Sequence, residues 1–408
     1  MAADPIRAYA IQVRRADSQL RCSFCAEAAG PGDAVRGDGV ASVAICVRCL
    51  EACRPLLARR PEDRLPAPAW IKRRLDRTVV GQERAKRQLA VAVHTHLRRA
   101  QVGAQAVGLS KANVLLLGPT GTGKTHLVRA LARLLDLPLH VGDATALTEA
   151  GYVGEDASGL LKGLLQAAKG DLGAAQRGIL YIDEVDKLAR RSGSATSERD
   201  VGGEGVQQSL LKLIEGCTVD LQVPTGRGRT RRVSFDTAGV LVICGGAFEG
   251  LDRIIGRRTS RATVGFGAPH RAATSTVMDV RPEDLHRFGL IPELVGRLPV
   301  LASLSALDED QLVRILTEPR DALVAQYQRL LRMDGVDLRF TTGGLRAVAS
   351  RCLALGAGAR GLRGILEEVL LEVMYEAPDR DDLAEVWITA AVVEGHASPL
   401  LGLRSETG

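Results

Sequence analysis

From about Trp70 to Leu304 the chain alternates between two hydrophobic patterns. Residues 113–117, 178–182 and 239–244 are short, nearly unbroken apolar runs, which read as buried strands. Residues 84–98, 125–135 and 206–215 space their apolar positions at the helical period instead. Strands alternating with helices predict a parallel α/β sheet. Past Asp308 the helical period dominates, over 308–316, 321–331, 343–355 and 361–375, with one strand-like segment at 385–388. That predicts a separate, small, mainly helical C-terminal domain. Residues 55–68 are rich in Pro, Arg and Ala, have weak periodicity and read as a linker. The expected division is a first module over 1–54, the 55–68 linker, a large α/β domain over 69–304, a small domain over 305–400 and a tail over 401–408.

Two motifs sit at strand ends of the α/β region. The stretch Gly118-Pro119-Thr120-Gly121-Thr122-Gly123-Lys124-Thr125 fits G-x-x-x-x-G-K-[ST], the phosphate-binding loop. It follows the apolar run 113–117 and opens the amphipathic run 125–135, the strand–loop–helix context that the motif needs. Its glycines let backbone N–H groups point at phosphate oxygens, and the helix N-terminus adds positive potential. Lys124 reaches the β- and γ-phosphates of ATP in such a loop, and Thr125 ligates Mg2+. The second motif is the run 178–182 closing on Asp183-Glu184. An acid at that strand end holds magnesium, which assigns Asp183. Glu184 is then placed as a general base for the attacking water.

Five of the eight cysteines fall between Cys22 and Cys53. Cys22, Cys25, Cys46 and Cys49 form C-x-x-C, a spacer of 20 residues and a second C-x-x-C, the spacing of a structural Zn2+ site. Four thiolates fill a tetrahedral ion and leave no position for catalysis. Cys53, one helical turn past Cys49, reads as packing, and Cys217, Cys244 and Cys352 as isolated buried thiols.

Composition adds limits. The chain has 408 residues, 46% hydrophobic and 25% charged, so it is an ordinary globular chain of two or three domains. The net charge of +6 permits contact with nucleic acid without demanding it. No signal-peptide pattern and no membrane-length apolar run are visible, so a cytoplasmic setting is expected.

The motifs in order carry a resemblance. Besides the four cysteines and the two strand-end motifs they are Val80-Gly81-Gln82, Glu149-Ala150-Gly151-Tyr152-Val153-Gly154-Glu155-Asp156, Gly205-Val206-Gln207-Gln208, Val264-Gly265-Phe266-Gly267, Leu290-Ile291-Pro292-Glu293-Leu294-Val295-Gly296-Arg297-Leu298-Pro299 and Gly358-Ala359-Arg360-Gly361-Leu362-Arg363. From Cys22 to about Leu401 the chain resembles the AAA+ protein-unfolding ATPases that feed the ClpP peptidase.

The resemblance implies an AAA+ P-loop ATPase domain, a small AAA+ C-terminal domain and an N-terminal zinc-binding module. It implies a homohexamer that unfolds protein substrates and threads them into a ClpP-type peptidase, using ATP, Mg2+ and Zn2+. Val79 and Val80 match the apolar residues flanking adenine. Arg297 matches the arginine finger that enters the neighbouring subunit's site, and Arg360 the second sensor, which reaches the phosphates from the small domain. Tyr152 and Val153 match a pore loop that grips polypeptide, and Arg199 lies in a second one. Val264, Gly265 and Phe266 match the loop that docks on the peptidase. One departure stands out. The family often carries Arg-Lys-His near the pore entrance, and here the segment reads Gly226-Arg227-Gly228-Arg229-Thr230-Arg231-Arg232. The competing reading is an AAA+ ATPase that remodels nucleic acid with a zinc finger. The few basic residues between the cysteine pairs, and the apolar pore motif, count against it.

Overall fold

The computed structural model describes residues 21–27, 34–36, 44–58, 65–102, 111–147, 157–189, 203–224, 230–261 and 279–404. The chain divides into two compact units, residues 1–65 and 66–408.

In the first unit, β1 (Ala34–Arg36) pairs antiparallel with β2 (Ala44–Cys46), and helix α1 (Val47–Ala58) follows at once. Cys46 closes the strand and Cys49 lies in the first turn of the helix, so the second C-x-x-C straddles a strand–helix junction. Helix α1 runs on through residues 55–58, inside the stretch read as linker.

The second unit opens with α2 (Pro68–Leu75), which starts on a proline whose missing N–H costs nothing at that position, and α3 (Glu83–Val102). Then come β3 (Val114–Leu117), α4 (Lys124–Leu135), β4 (Leu139–Asp143), α5 (Ala157–Ala167), α6 (Leu172–Ala175) and β5 (Ile179–Asp183). They are followed by α7 (Gly203–Glu215), β6 (Thr218–Pro224), β7 (Thr230–Asp236), β8 (Leu241–Gly246), α8 (Leu251–Arg261), α9 (Pro282–Phe288), α10 (Pro292–Gly296) and β9 (Val300–Ser303). Strands β6 and β7 form an antiparallel hairpin. The main sheet is parallel throughout, in the order β4-β5-β8-β3-β9.

Side-chain alternation along β5 shows how the sheet is covered. Leu180 and Ile182 enter a core shared with α5, α7 and α10, while Ile179 and Tyr181 enter a core shared with α2, α3 and α4. Helices on both faces explain the unbroken apolar runs. Strands β4 and β9 were not among the expected ones. Both lie at the sheet's edges and are only partly buried, so their sequences mix polar and apolar residues.

Residues 309–403 have a core of their own, with α11 (Glu309–Thr317), α12 (Leu323–Met333), β10 (Asp337–Phe340), α13 (Thr342–Ala354), α14 (Gly361–Glu376), β11 (Leu383–Ile388), α15 (Ala390–Val393) and β12 (Leu400–Leu403). Helix α11 starts on a capping box, in which Asp308 accepts from Gln311 N–H and the Gln311 side chain returns the bond. The expected single strand is a three-stranded sheet, β10-β11-β12. Residues 401–403, read as tail, pair with β11. Ser305, between β9 and α11, is clasped by Gln82: its N–H donates to Oε1 and its carbonyl accepts from Nε2, both at 2.9 Å. Among the described residues no helix is long and apolar enough to cross a membrane.

Candidate functional site

The phosphate loop leaves the C-terminal end of β3, a strand flanked on both sides in the sheet. Gly123, with φ at +93°, caps α4 without a side-chain partner, so the first N–H groups of that helix stay free for an anion. Thr122 Oγ1 donates to Pro119 O at 2.8 Å and tightens the loop. Lys124 lies folded along it, donating to Gly118 O at 2.6 Å and Pro119 O at 3.1 Å. Burial lowers the Lys124 pKa, and the charges of Asp183 and Asp186 offset part of that shift. Thr125 Oγ1 donates to Asp183 Oδ2 at 2.9 Å. Helix α4 and strand β5 thus bring together the two side chains expected to hold magnesium.

Glu184 follows in the left-handed region, with φ at +59°, a strained backbone for a residue with a side chain. Its N–H donates to Asp183 Oδ1 at 3.0 Å, and its side chain is exposed. Two residues on, buried Asp186 accepts from Ala247 and Phe248 N–H, both at 3.2 Å, and so ties the ends of β5 and β8. In the sequence only its place in an acidic turn marks Asp186.

A cavity of about 450 Å³ opens over the loop. Val79 and Val80, both buried, line one wall. Lys86, itself buried, braces that wall through Asp76, Glu83 and the Val79 carbonyl. Other walls come from the C-terminal core: Leu307, Ile315, Pro319 and Gln326, none of them foreseen, and Arg360, which was. His126 and Arg129 also line it, one turn apart on α4.

The loop touches the C-terminal elements directly. Ala359 N–H donates to Gly121 O at 3.0 Å. Gly121 has φ at +78°, and a Cβ there would stand 2.5 Å from Ala357 O and 2.8 Å from Gly358 Cα. Only glycine fits, on both counts.

Arg297 caps the end of α10 and does not line the cavity. Its exposed guanidinium donates from Nε to Glu215 Oε1 at 2.9 Å.

In the first unit the sulfurs of Cys22, Cys25, Cys46 and Cys49 all lie within 4.8 Å of one another. Cys25 Sγ and Cys46 Sγ are 3.8 Å apart, and two thiolates on one tetrahedral zinc, at Zn–S of about 2.3 Å, stand roughly 3.8 Å apart. Phe24 and Cys46 N–H donate to Cys22 Sγ, and Cys49 N–H to Cys46 Sγ, as suits thiolates. The backbone at Cys25, then at Cys46, draws the Cys22 thiol down to about 6. Hydrogen bonding to Cys25, then Cys46, pushes the Cys49 thiol up to about 12. The donor set fits a zinc ion.

Residues 109–301 match the family described as AAA domain (Cdc48 subfamily), and residues 307–389 match the C-terminal, D2-small domain of ClpB protein. The ATP-dependent Clp protease ATP-binding subunit ClpX of Treponema denticola is 42% identical over 402 residues, covering 94% of this chain and 96% of that protein. The chain belongs to the ClpX family.

This ClpX-family chain is an AAA+ ATPase, with the parallel sheet, the C-terminal helical region and the N-terminal four-cysteine cluster that the sequence predicts. Tyr152, Val153, Arg199, Val264, Gly265 and Phe266 lie outside the described residues, as do 226–229 of the basic segment. Thr230, Arg231 and Arg232 of that segment belong to β7. The Cys53 side chain is likewise outside. Cys244 and Cys352 are buried as read, whereas Cys217 is only half-buried, its thiol donating to Lys212 O at 2.9 Å.

Proposed function

We propose that the chain is an ATP-driven protein unfoldase and translocase, working as a cytoplasmic homohexamer that delivers its substrates to a ClpP-type peptidase. The observation that supports this best is the composite cavity. Its walls belong to two separately packed cores, joined at Gly121 and Ala359. A nucleotide filling it biases the angle between the two cores, so hydrolysis becomes relative motion.

In this reading Val79 and Val80 take the two faces of adenine. The backbone N–H groups of the loop and of the start of α4 hold the phosphates, and Lys124 exchanges its carbonyl partners for phosphate oxygens. Thr125 and Asp183 would hold Mg2+, which would supply positive charge against that of the phosphates. Glu184 accepts the proton of the attacking water. Arg360 reaches the phosphates from the C-terminal side, and Arg297 serves the site of the neighbouring subunit, which is why the ring is required. Tyr152, Val153 and Arg199 contact polypeptide in the pore. Val264, Gly265 and Phe266 dock on the peptidase. Cys22, Cys25, Cys46 and Cys49 hold zinc in a module that recognises substrates or adaptors.

The test is degradation of a tagged, folded protein with ATP, with and without a ClpP peptidase. Degradation needs both components, Glu184→Gln binds ATP without turning it over, and Phe266→Ala keeps ATPase and unfolding but loses degradation. ATPase that responds to nucleic acid and not to protein substrate would overturn the proposal.

A further inference from the structure

The guanidinium of Arg297 is held by one edge. Both Nε and Nη2 stand 2.9 Å from a single oxygen, Oε1 of Glu215. A guanidinium has five N–H groups arranged as a planar fork, so the Nη1 edge is left over. No other acceptor for the Arg297 side chain occurs among the described residues.

The backbones beneath the pair are fixed as well. Glu215 is the last residue of α7, and Gly216, with φ at +93°, turns the chain away. Arg297 is the residue on which α10 ends. Asn113, almost fully buried just before β3, joins the two ends: its Nδ2 donates to Ile214 O at 3.2 Å and to Arg297 O at 3.0 Å. One amide therefore sets the separation of Glu215 and Arg297, and does so from the strand that carries the phosphate loop.

The ion pair does little for stability. Arg297 is 57% exposed and Glu215 45%, and a solvated pair of that kind contributes little to folding. Its effect is on direction. A long side chain left to rotate visits many orientations, whereas one clamped along an edge presents its free edge one way.

We propose that Glu215 is a positioning residue for the arginine finger, clamping one edge of the Arg297 guanidinium so that the other projects toward the nucleotide site of a second copy of this chain. This rests on the reading of Arg297 as the finger. Phosphoryl transfer is stabilised by groups already in place as charge develops, and a misplacement of about 1 Å costs up to roughly a hundredfold in rate. Loss of the clamp leaves the charge present but poorly aimed. It therefore lowers kcat and leaves the KM for ATP unchanged, since the γ-phosphate is bound by the other subunit's own loop.

Mixed rings test both layers. Arg297→Ala subunits have an intact nucleotide site and no finger, and Glu184→Gln subunits have a finger and no turnover. Mixed together they recover ATPase at composite sites. Replacing the second partner with Glu184→Gln/Glu215→Ala should lower the recovered kcat by about tenfold at unchanged KM. Glu184→Gln/Glu215→Gln, whose amide oxygen still accepts from Nε, should restore most of it. The subunits that turn over carry no change at Glu215, so damage to their own fold cannot produce the drop. Equal recovery with the Glu215→Ala partner would overturn the proposal. No recovery from the first mixture would overturn the finger reading itself.

Discussion

A methyl group added at Gly121 should separate ATP binding from the C-terminal half of its own pocket. The Cβ of Gly121→Ala would stand 2.5 Å from Ala357 O and 2.8 Å from Gly358 Cα, and both neighbours are backbone, so no side chain can rotate away. Alanine in the left-handed region costs about 1–2 kcal/mol. The overlap with backbone adds about 1–3 kcal/mol as overpacking. Together these disfavour the docked arrangement by at least about 2 kcal/mol, or roughly 30-fold, against a single Ala359 N–H bond to Gly121 O, worth about 1 kcal/mol, that holds it. Arg360 follows the displaced turn, so ATPase should fall at least tenfold, and affinity for a fluorescent ATP analogue should weaken. Gly358→Ala attacks the same contact from the other side, with φ at +56° and its Cβ 2.8 Å from Gly121 Cα. It should give the same phenotype, and the double variant should lose less than the sum of the two. Gly364→Ala, with nothing within 4 Å, should behave as wild type. Wild-type affinity and turnover in Gly121→Ala would refute the view that this contact closes the pocket.

Stability should also depend on His96, which burial, then the charge of Arg99, holds down at about 4 against an ordinary 6.5. The unfolded chain takes up that proton first, so the contribution is full above about pH 6.5 and is lost as pH falls toward 4, by up to about 3 kcal/mol. Urea midpoints measured across that window should show a slope that His96→Gln flattens, and an unchanged slope would exclude His96. Metal analysis of the whole chain should give about one zinc, since four thiolates fill one ion. Cys22→Ser/Cys25→Ser should lose the zinc and keep ATPase, because none of the hydrolytic side chains lies in residues 1–65; a zinc-replete double variant would refute the ligand set.

The parts of this molecule legible in its sequence were those fixed by local spacing. The phosphate loop, the acidic end of β5 and the four cysteines each need certain residue types a few positions apart, and the fold brings Thr125 to Asp183 and the four sulfurs to one another. The central strands β3, β5 and β8 were legible because both faces are buried. The edge strands β4 and β9 were not, because half-exposed positions dilute the apolar signal. Strands β10 and β12 span four residues each, too short for a period to emerge. The far walls of the pocket were hidden for another reason. Leu307, Ile315 and Gln326 acquire their role only when the chain returns to the loop almost two hundred residues later, and nothing local marks them. The clamp of Glu215 on Arg297 spans 82 residues and was equally invisible.

The order in which the pocket is assembled bears on synthesis. Its walls run in sequence from Thr78 to Arg360, and the strand carrying the phosphate loop gains its outer neighbour, β9, only at Val300. A ligand stabilises a fold only once its binding site exists. ATP therefore lends the nascent α/β core only part of its support, and that core holds mainly through its own aliphatic packing until the C-terminal helices emerge. A ribosome stalled before Leu307 would hold a chain with an intact phosphate loop and half a pocket. Nucleotide becomes a full stabilising ligand only once the chain has been made as far as Arg360.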